Sequence, residues 1–238
     1  MASLKESEHL SLPFPVIEAA TKKFTTFIGS GGYGQVYKGE LSLSGELRTV
    51  VVKRLSTKES KGGQGVNEFL TEIQLLSRYK HPNIVSLLGF CHQGDEKIFQ
   101  QKILIYEYAE HGSLDTYLRG PCMFTWKQRI NICIDAACGR DHLHNHVSDN
   151  HRVIHGDIKS GNILLGHNWK AMIADLGLSK RGLTTENDSY IVTHPCSTYA
   201  YLDPQYEITG ILTKESDIYS FGVVLFEVLC GVVLFEVI

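Results

Sequence analysis

Two short segments carry most of the chemical information in this chain: His155-Gly-Asp157-Ile-Lys159-Ser-Gly-Asn162-Ile-Leu-Leu165 and, downstream, Asp175-Leu-Gly177. Asp157 has the chemistry to accept the proton of a hydroxyl group, and Lys159 to neutralise a phosphate during its transfer. Asn162 and Asp175 offer oxygen ligands of the kind that Mg²⁺ prefers. Each residue alone also fits a turn or a surface position. Their order and spacing predict phosphate transfer to a hydroxyl group, with Asp157, Lys159 and Asn162 as catalytic residues.

Upstream lies a glycine-rich segment, Gly29-Ser-Gly31-Gly-Tyr-Gly34-Gln-Val36. Its glycines let the backbone come close to phosphate groups. A dinucleotide-binding loop of this pattern leads directly into a helix, whereas Val36 and Tyr37 favour a strand. The segment therefore predicts a turn between two strands that covers a nucleotide. An ordinary glycine-rich hairpin is the alternative.

Lys53 and Glu72 are placed in the sequence so that they could form an ion pair. Lys53 follows three valines at the end of a predicted strand, and Glu72 lies in the middle of a helix predicted from about Val66 to Tyr79. A Lys53–Glu72 pair would hold the ammonium group toward phosphate oxygens. A lysine that only extends into solvent is the common alternative.

The order of strand-like and helix-like segments divides the chain into two parts. After a short helical pattern between Val16 and Phe24, strand patterns dominate as far as Tyr108, and the last two run from Ile84 to Phe90 and from Lys102 to Tyr108. Helix patterns follow near Leu114 and from Trp126 to His144. This segregation predicts an α+β protein of two lobes, and a cleft between lobes is the usual place for a ligand.

Taken in order, these motifs resemble those of the eukaryotic protein kinase family: G-x-G-x-x-G-x-V, V-x-K, H-x-D-x-K-x-x-N and D-x-G. The match covers about residues 24 to 230. His81-Pro-Asn-Ile-Val85 and Tyr201-Leu-Asp-Pro204 are similar to segments of plant receptor-like kinases and their cytoplasmic relatives. Lys159, two residues after Asp157, resembles the serine/threonine version of the catalytic loop. The resemblance implies a two-lobed protein kinase fold.

The resemblance also implies which residues bind ATP. Three apolar side chains would enclose the adenine ring, Tyr106 would be the gatekeeper, and the backbone of Glu107 and Ala109 would bind the edge of adenine. The metal ligands would be Asn162 and Asp175. The complete expected ATP-binding set is Ile28, Gly29, Gly31, Gly34, Val36, Val52, Lys53, Glu72, Tyr106, Glu107, Ala109 and Leu164.

One departure from the family pattern concerns regulation. Gly156 stands where an arginine usually pairs with a phosphate on the activation segment. Phosphorylation of Ser189, Tyr190 or Thr193 is therefore expected to matter little for ordering that segment. Thr198 resembles the threonine that positions the catalytic aspartate and lysine.

Other departures predict local damage. Ser197 and Ala200 stand where the family has glycines, which predicts backbone strain. Gln205 replaces a glutamate, which predicts the loss of a buried ion pair. Arg140 stands where relatives bury a leucine, which predicts an unpaired buried charge.

The resemblance implies three parts: an N-terminal leader at 1–23, a β-rich N-lobe at 24–108 and a helical C-lobe at 109–238 that lacks the last helices of the family. Residues 218–238 are the most apolar segment, and Glu227 and Glu236 within it would be costly in a bilayer. A buried core helix is therefore expected there rather than a membrane span. A heptapeptide at 222–228 recurs at 231–237, which on one helix would turn the copies to opposite sides.

Composition restricts the partners. The chain has 238 residues, 43% of them apolar, and a formal net charge of −3, which excludes a disordered chain and the basic face of a general nucleic-acid binder. Six cysteines without a paired motif, and a start without a signal peptide, indicate reduced thiols. His142 and His146 have the spacing of helical zinc ligands, but no third ligand is evident.

The function implied is that of a kinase that uses ATP and Mg²⁺ to phosphorylate serine and threonine hydroxyls of proteins in signalling. The alternative is a catalytically impaired kinase-like binding protein or a truncated decoy. The expected partner is a protein substrate, with an upstream receptor complex as a further candidate and neither nucleic acid nor a membrane span. The expected location is the cytoplasm, or the inner face of the plasma membrane through a partner.

Overall fold

The computed structural model describes residues 2–31, 34–56, 64–93, 101–120, 124–148, 150–183 and 190–234. The chain forms two compact units. The first comprises Met1–Lys80 and Ser86–Tyr108, and the second comprises His81–Val85 and Ala109–Ile238. Of the residues singled out from the sequence, Gly32, Tyr33, Ser189 and Glu236 lie outside the described ranges.

The first unit is built on an antiparallel sheet of five strands: β1 (Phe27–Gly31), β2 (Gly34–Leu43), β3 (Glu46–Leu55), β4 (Leu87–Gln93) and β5 (Gln101–Glu107). The strands lie in the order β1-β2-β3-β5-β4. Its helices are α1 (Ala2–Lys5), α2 (Phe14–Ala20) and α3 (Gln64–Arg78), with a 3₁₀ turn at Glu8–Leu10. Helix α3 buries Phe69, Ile73 and Leu76, whose spacing predicted a helix over these residues.

Helix α2 is shorter than the sequence predicts. It ends at Ala20 instead of Phe24, because residues 22–24 all have positive φ angles of 50°, 60° and 59°. Left-handed backbone cannot continue a right-handed helix. The Thr21 hydroxyl closes this turn by donating to the Ile17 carbonyl at 2.8 Å and accepting the N–H of Phe24 at 3.2 Å.

Strand β4 begins later than the sequence predicts. Its expected start was Ile84, but Ile84 and Val85 belong to the second unit. There, Ile84 forms a parallel bridge with Ile173, and the N–H of Val85 donates to the Ile173 carbonyl at 2.9 Å. Strand β4 therefore starts at Leu87.

The second unit is mainly helical, with α4 (Leu114–Leu118), α5 (Trp126–Asp141), α6 (Pro204–Thr209) and α7 (Lys214–Cys230). A π-helical turn, His142–His146, follows α5. Its described strands form three small sheets. The first contains β6 (Gly112–Ser113), β8 (Ile163–Leu165) and β9 (Ala171–Ile173). The second contains β7 (His151–Ile154) and β10 (Lys180–Leu183), and the third contains β11 (Ile191–Val192) and β12 (Ile211–Leu212). Residues of α4, α5, β8 and α7 form its main apolar core.

Helix α7 ends before the predicted core helix would. Gly231 has a φ of +72°, and its N–H bonds the Glu227 carbonyl, which closes the helix. The side chain of Arg129 donates to the carbonyls of Val228 and Leu229 at 2.7 and 2.9 Å. As far as it is described, the second heptapeptide copy therefore does not continue the helix. In the described ranges, no helix has the length and apolar character needed to cross a membrane.

Candidate functional site

The glycine-rich segment joins β1 to β2, so a strand lies on each side of it and no helix follows. The two strands pair antiparallel as far as Gly31 and Gly34. A Cβ atom on Gly34 would overlap with the Arg54 carbonyl oxygen of β3, so the close approach of these strands requires glycine there. Gly29 has open space around it, and Ile28 beside it is exposed.

Lys53 and Glu72 form the predicted ion pair. Lys53 Nζ lies 3.2 Å from Glu72 Oε1, and the two side chains are 14% and 2% exposed. The hydroxyl of Tyr106 on β5 donates a hydrogen bond to the other carboxylate oxygen, Oε2. A buried carboxylate is costly unless it is paired and hydrogen-bonded, and both conditions are met here. No local pattern predicts the Tyr106 contact, because 34 residues separate it from Glu72.

Strand pairing divides the expected nucleotide-binding residues of the first unit between two faces of the sheet. Val36 on β2 lies directly opposite Lys53 on β3, so these two residues share a face. Val52 is the neighbour of Lys53 and points to the other face, where it packs in a buried cluster with Ile17 of α2. The expectation for Val52 is therefore corrected, and Val51 shares the face of Lys53 instead.

Glu107 and Ala109, expected to bind the edge of adenine, belong to different units. Glu107 ends β5, where its N–H donates to the Ser86 carbonyl at 3.1 Å and its Oε1 accepts the Ser86 N–H at 2.6 Å. Ala109 is buried in the second unit, and its carbonyl accepts the N–H of Gly112 at 3.1 Å. Leu164 lies on β8 of that unit and is half-buried. Hydrogen bonds thus fix the backbone at Glu107 and at Ala109.

Asp157 is the centre of a dense cluster of hydrogen bonds in the second unit. Its Oδ2 lies 2.9 Å from Lys159 Nζ and accepts from Asn162 Nδ2 at 3.1 Å. Its Oδ1 accepts from the N–H and the hydroxyl of Thr198, both at 2.9 Å, and from the Ser197 hydroxyl at 3.2 Å. Lys159 also donates to the Thr198 hydroxyl at 2.7 Å. The structure therefore brings the three expected catalytic residues together.

The surroundings of Asp157 determine its charge. Burial by itself raises the pKa of the Asp157 carboxyl, but the Lys159 ammonium outweighs it, together with hydrogen bonds from Lys159 and Thr198. The pKa is held below its usual value. Asp157 is thus a carboxylate at neutral pH, which is the form that can accept a proton.

Asn162 and Asp175, the expected metal ligands, are connected through the backbone. Asn162 Nδ2 also donates to the Asp157 carbonyl at 2.8 Å, which orients the amide group and leaves Oδ1 as the atom that a metal ion would meet. The Asn162 carbonyl accepts the N–H of Ala174, the residue before Asp175, at 2.8 Å. Asp175 has a φ of +66°, a conformation that aspartate tolerates better than most residues. One carboxylate and one amide oxygen suit Mg²⁺, which takes its other ligands from water and phosphate.

Asp217 of α7 holds the backbone before Asp157, and the sequence analysis did not single it out for this role. Its Oδ2 accepts the N–H of His155 at 2.7 Å, and its Oδ1 accepts the N–H of Gly156 at 2.8 Å. His144 Nε2 lies 2.8 Å from Oδ2. His155 Nδ1 in turn accepts the Asp157 N–H at 3.2 Å. No local pattern predicts this anchor, since 62 residues separate Asp217 from His155.

The departures from the family pattern disturb the local structure less than the sequence predicts. Ser197 and Ala200, both within the described ranges, have no positive φ angle, so the expected strain is not found there. Gln205 is exposed at the start of α6. Arg140 is only half-buried, and its guanidinium lies 5.1 Å from the centre of the Phe221 ring. Its Nε has no hydrogen-bond partner among the residues that the structure describes. The buried charge at Arg140 is thus partly compensated.

The histidines considered as zinc ligands have other contacts. His142 stacks on His81 with 4.6 Å between ring centres, and His146 Nε2 lies 2.9 Å from Asp141 Oδ2. Among the residues that the structure describes, no group of three or more His, Cys, Asp or Glu side chains is placed to hold a metal. Among the described cysteines, Cys91, Cys133, Cys138 and Cys230 are free thiols.

Comparison with known proteins identifies the family. A sequence model described as protein tyrosine and serine/threonine kinase matches residues 23–233. The chain is 44% identical over 235 residues to receptor-like protein kinase HERK 1, 43% over 223 to receptor-like protein kinase FERONIA and 43% over 221 to receptor-like protein kinase THESEUS 1, all of Arabidopsis thaliana. These alignments cover 97%, 92% and 91% of this chain, but 27%, 23% and 24% of the relatives.

The chain therefore spans about a quarter of the length of the curated relatives that it matches. The family match extends over both units, and the similarity to plant receptor-like kinases confirms the resemblance seen in the motifs. This chain belongs to the protein tyrosine and serine/threonine kinase family and has the family's two-lobed α+β fold, β-rich in the first unit and mainly helical in the second.

Proposed function

We propose that this chain transfers the γ-phosphate of ATP to serine and threonine hydroxyls of an acceptor protein. One observation carries the proposal: the Lys159 ammonium lies 2.9 Å from Asp157 Oδ2 and donates to the Thr198 hydroxyl at 2.7 Å. A cation beside a proton-accepting carboxylate suits a reaction in which a hydroxyl loses its proton while a phosphate is transferred. Lys159 is also the residue by which the sequence resembles serine/threonine kinases.

The proposed roles follow from contacts within each unit. Asp157, held as a carboxylate, orients the acceptor hydroxyl and takes its proton, while Lys159 neutralises charge on the phosphate. Lys53, fixed by Glu72, binds phosphate oxygens of ATP. Val51 replaces Val52 in the adenine-binding set because of its face on β3. The remaining proposed ATP contacts are Ile28, Gly29, Gly31, Gly34, Val36, Tyr106, Glu107, Ala109 and Leu164.

Asn162 and Asp175 are the proposed ligands of Mg²⁺. When bound, the ion neutralises negative charge on the phosphate oxygens. Asn162 has a second role, because its amide nitrogen holds both the carbonyl and the carboxylate of Asp157 in place. Loss of this side chain would therefore affect the orientation of the base as well as the metal.

Family membership implies a protein as the acceptor. An upstream receptor complex is proposed as a partner, because the relatives named above are receptor-like kinases. The proposed location is the cytoplasm, or the inner face of the plasma membrane through such a partner. The net charge of −3 favours a protein over a nucleic acid as partner.

Thermal unfolding with and without Mg-ATP tests the nucleotide-binding part. ATP at 100 times its dissociation constant should add about 2.7 kcal/mol of stability, which is a rise of roughly 5–10 °C for a chain of this size. Lys53→Met and Asp175→Asn should lack most of this rise. Glu110→Gln, a change at an exposed carboxylate, should keep it.

Phosphate transfer to myelin basic protein, followed by phosphoamino-acid analysis, tests the reaction itself. We expect phosphoserine and phosphothreonine in the acceptor, and at least about a hundredfold less product with Asp157→Asn. Phosphotyrosine alone would contradict the serine/threonine class.

A nucleotide-binding protein without turnover, such as a decoy, is the second candidate. The observation in its favour is that five donors converge on Asp157, whereas a carboxylate has about four lone-pair positions. Stabilisation by Mg-ATP without transfer by the wild type or any variant would favour this candidate.

A further inference from the structure

We propose that Ser197 is a positioning residue that occupies the place of the acceptor hydroxyl on Asp157 and thereby weakens productive binding of the acceptor protein. The inference rests on the proposed kinase function. It is carried by one contact: Ser197 Oγ donates to Asp157 Oδ1 at 3.2 Å. A serine hydroxyl thus already makes the hydrogen bond that a serine of the acceptor protein would have to make.

The carboxylate of Asp157 has more donors than it can accommodate together with a substrate. Lys159 and Asn162 approach Oδ2, and the Thr198 N–H and hydroxyl approach Oδ1 together with Ser197. A carboxylate offers about four lone-pair positions, and Asp157 is only 6% exposed. An acceptor hydroxyl must come within hydrogen-bond distance of this carboxylate to lose its proton. At least one of the five donors therefore has to leave first.

Ser197 is the donor that leaves most easily. Its hydrogen bond is the longest of the five, and rotation about its Cα–Cβ bond is enough to break it. The Thr198 hydroxyl is held in place by Lys159 at 2.7 Å, and the Thr198 N–H belongs to the backbone. Asn162 is held by its second bond, to the Asp157 carbonyl at 2.8 Å. The Ser197 hydroxyl makes no other hydrogen bond within the described part of the chain.

The surroundings of Ser197 allow this rotation. A small cavity lies beside the residue and is lined, among others, by Gly156, Asp203 and Asp217. The wall of the cavity is polar, since Asp203 and Asp217 contribute carboxylates to it. A glycine at position 197, as in the family pattern, would leave the fifth donor out altogether.

Steady-state kinetics on the 238-residue chain test the inference, with ATP as donor and myelin basic protein as acceptor. Ser197→Ala removes the hydroxyl and keeps the Cβ atom. We expect the KM for the acceptor to fall roughly three- to tenfold, the size of one hydrogen bond of ordinary strength, because the Ser197 bond is the weakest of the five. The KM for ATP and the thermal unfolding midpoint should not change.

Two further variants serve as controls. Ser197→Thr keeps a hydroxyl and should retain the acceptor KM of the wild type. Tyr199→Phe changes a residue of the same segment that is 79% exposed and should alter neither KM. If the Ser197 hydroxyl had a purely structural role, Ser197→Ala would raise the acceptor KM and lower kcat.

That result would overturn the inference, and so would an unchanged acceptor KM in Ser197→Ala. Activity in Ser197→Ala but not in the wild type would support it in its strongest form. If Mg-ATP stabilises both proteins but neither transfers phosphate, the proposed function fails, and the inference fails with it.

Discussion

Glu72 in the first unit and Asp157 in the second are both buried carboxylates, but they are stabilised differently. Glu72 is paired with the ammonium of Lys53 and the phenol of Tyr106, which come from two strands of the sheet. Asp157 receives five donors, two of them from its own loop. An ion pair between β3 and α3 therefore stabilises Glu72, whereas a cluster of five hydrogen-bond donors stabilises Asp157. The free energy of unfolding should therefore fall when Glu72 loses one of its partners, Lys53 or Tyr106. The rate of phosphate transfer should depend on the carboxylate atoms of Asp157.

The largest effect is expected from Asp157→Asn. Asparagine cannot take a proton from the acceptor hydroxyl, and general base catalysis contributes about 10²- to 10⁴-fold to the rate. We expect kcat for phosphate transfer to fall by about this factor, while Mg-ATP still raises the unfolding midpoint. Glu110→Gln, an exposed carboxylate of the same unit, is the control. A variant with more than a tenth of the wild-type kcat would show that Asp157 is not the base.

Lys53→Met tests the charge pairing at Glu72. It leaves a buried carboxylate without its ammonium partner, and breaking a buried ion pair costs about 3 kcal/mol or more. Urea unfolding should show a loss of this size. Adding Glu72→Gln should recover part of the loss, because the buried charge is then removed. Lys38→Met, which removes a cation over the Tyr108 ring, is the matched control and should cost less than about 1 kcal/mol.

If Lys53→Met is as stable as the Lys38→Met control, Glu72 does not depend on its cation, and the contrast between the two carboxylates is lost. The same outcome would weaken the proposed role of Glu72 in holding the ammonium toward phosphate.

Tyr106→Phe should have a smaller effect on the same site. It removes the phenol donor to Glu72 but keeps the ring and the Lys53 pair. We expect a loss of about 1.5–3 kcal/mol in the free energy of unfolding, which is typical of a hydrogen bond to a charged group. Tyr108→Phe removes a neighbouring hydroxyl and should leave the free energy unchanged. Equal losses in both variants would mean that the bond to Glu72 contributes nothing specific.

The smallest effect is expected from replacing Ser189, Tyr190 and Thr193 together by Ala, Phe and Ala. Gly156 cannot bind a phosphate on this segment, and backbone pairing of β11 with β12 holds it instead. The N–H of Thr193 extends this pairing by donating to the Gly210 carbonyl at 2.9 Å. Transfer activity should stay within about twofold of the wild type. A loss of tenfold or more would show that phosphorylation orders the segment after all.

Val51 and Val52 show where sequence reasoning at the nucleotide site reached its limit. The run of valines before Lys53 predicts a strand, and β3 is that strand. Which valine shares the face of Lys53 follows from the alternation of side chains along β3 and from its pairing with β2. The position in the motif pointed to Val52, whereas the alternation places Val51 on the face of Lys53.

Helix ends show a similar limit. Helix α3 was predicted closely, because one buried face recurs with helical spacing within the helix itself. Helices α2 and α7 end earlier than predicted. In α2 the cause is a left-handed backbone run, and in α7 it is Gly231 with the distant Arg129 side chain over the last carbonyls.

The sequence by itself determined the order of the motifs, the α+β class and the places of Lys159 and Asn162 close to Asp157. These features are local, because glycine spacing, hydrophobic period and short loops involve residues that are close along the chain. Only the tertiary structure decided that Tyr106 bonds Glu72, that Asp217 holds the backbone at His155, and that Ser197 bonds Asp157. These contacts join residues that are 34, 62 and 40 positions apart. They form only when separate elements pack together, so no local pattern records them.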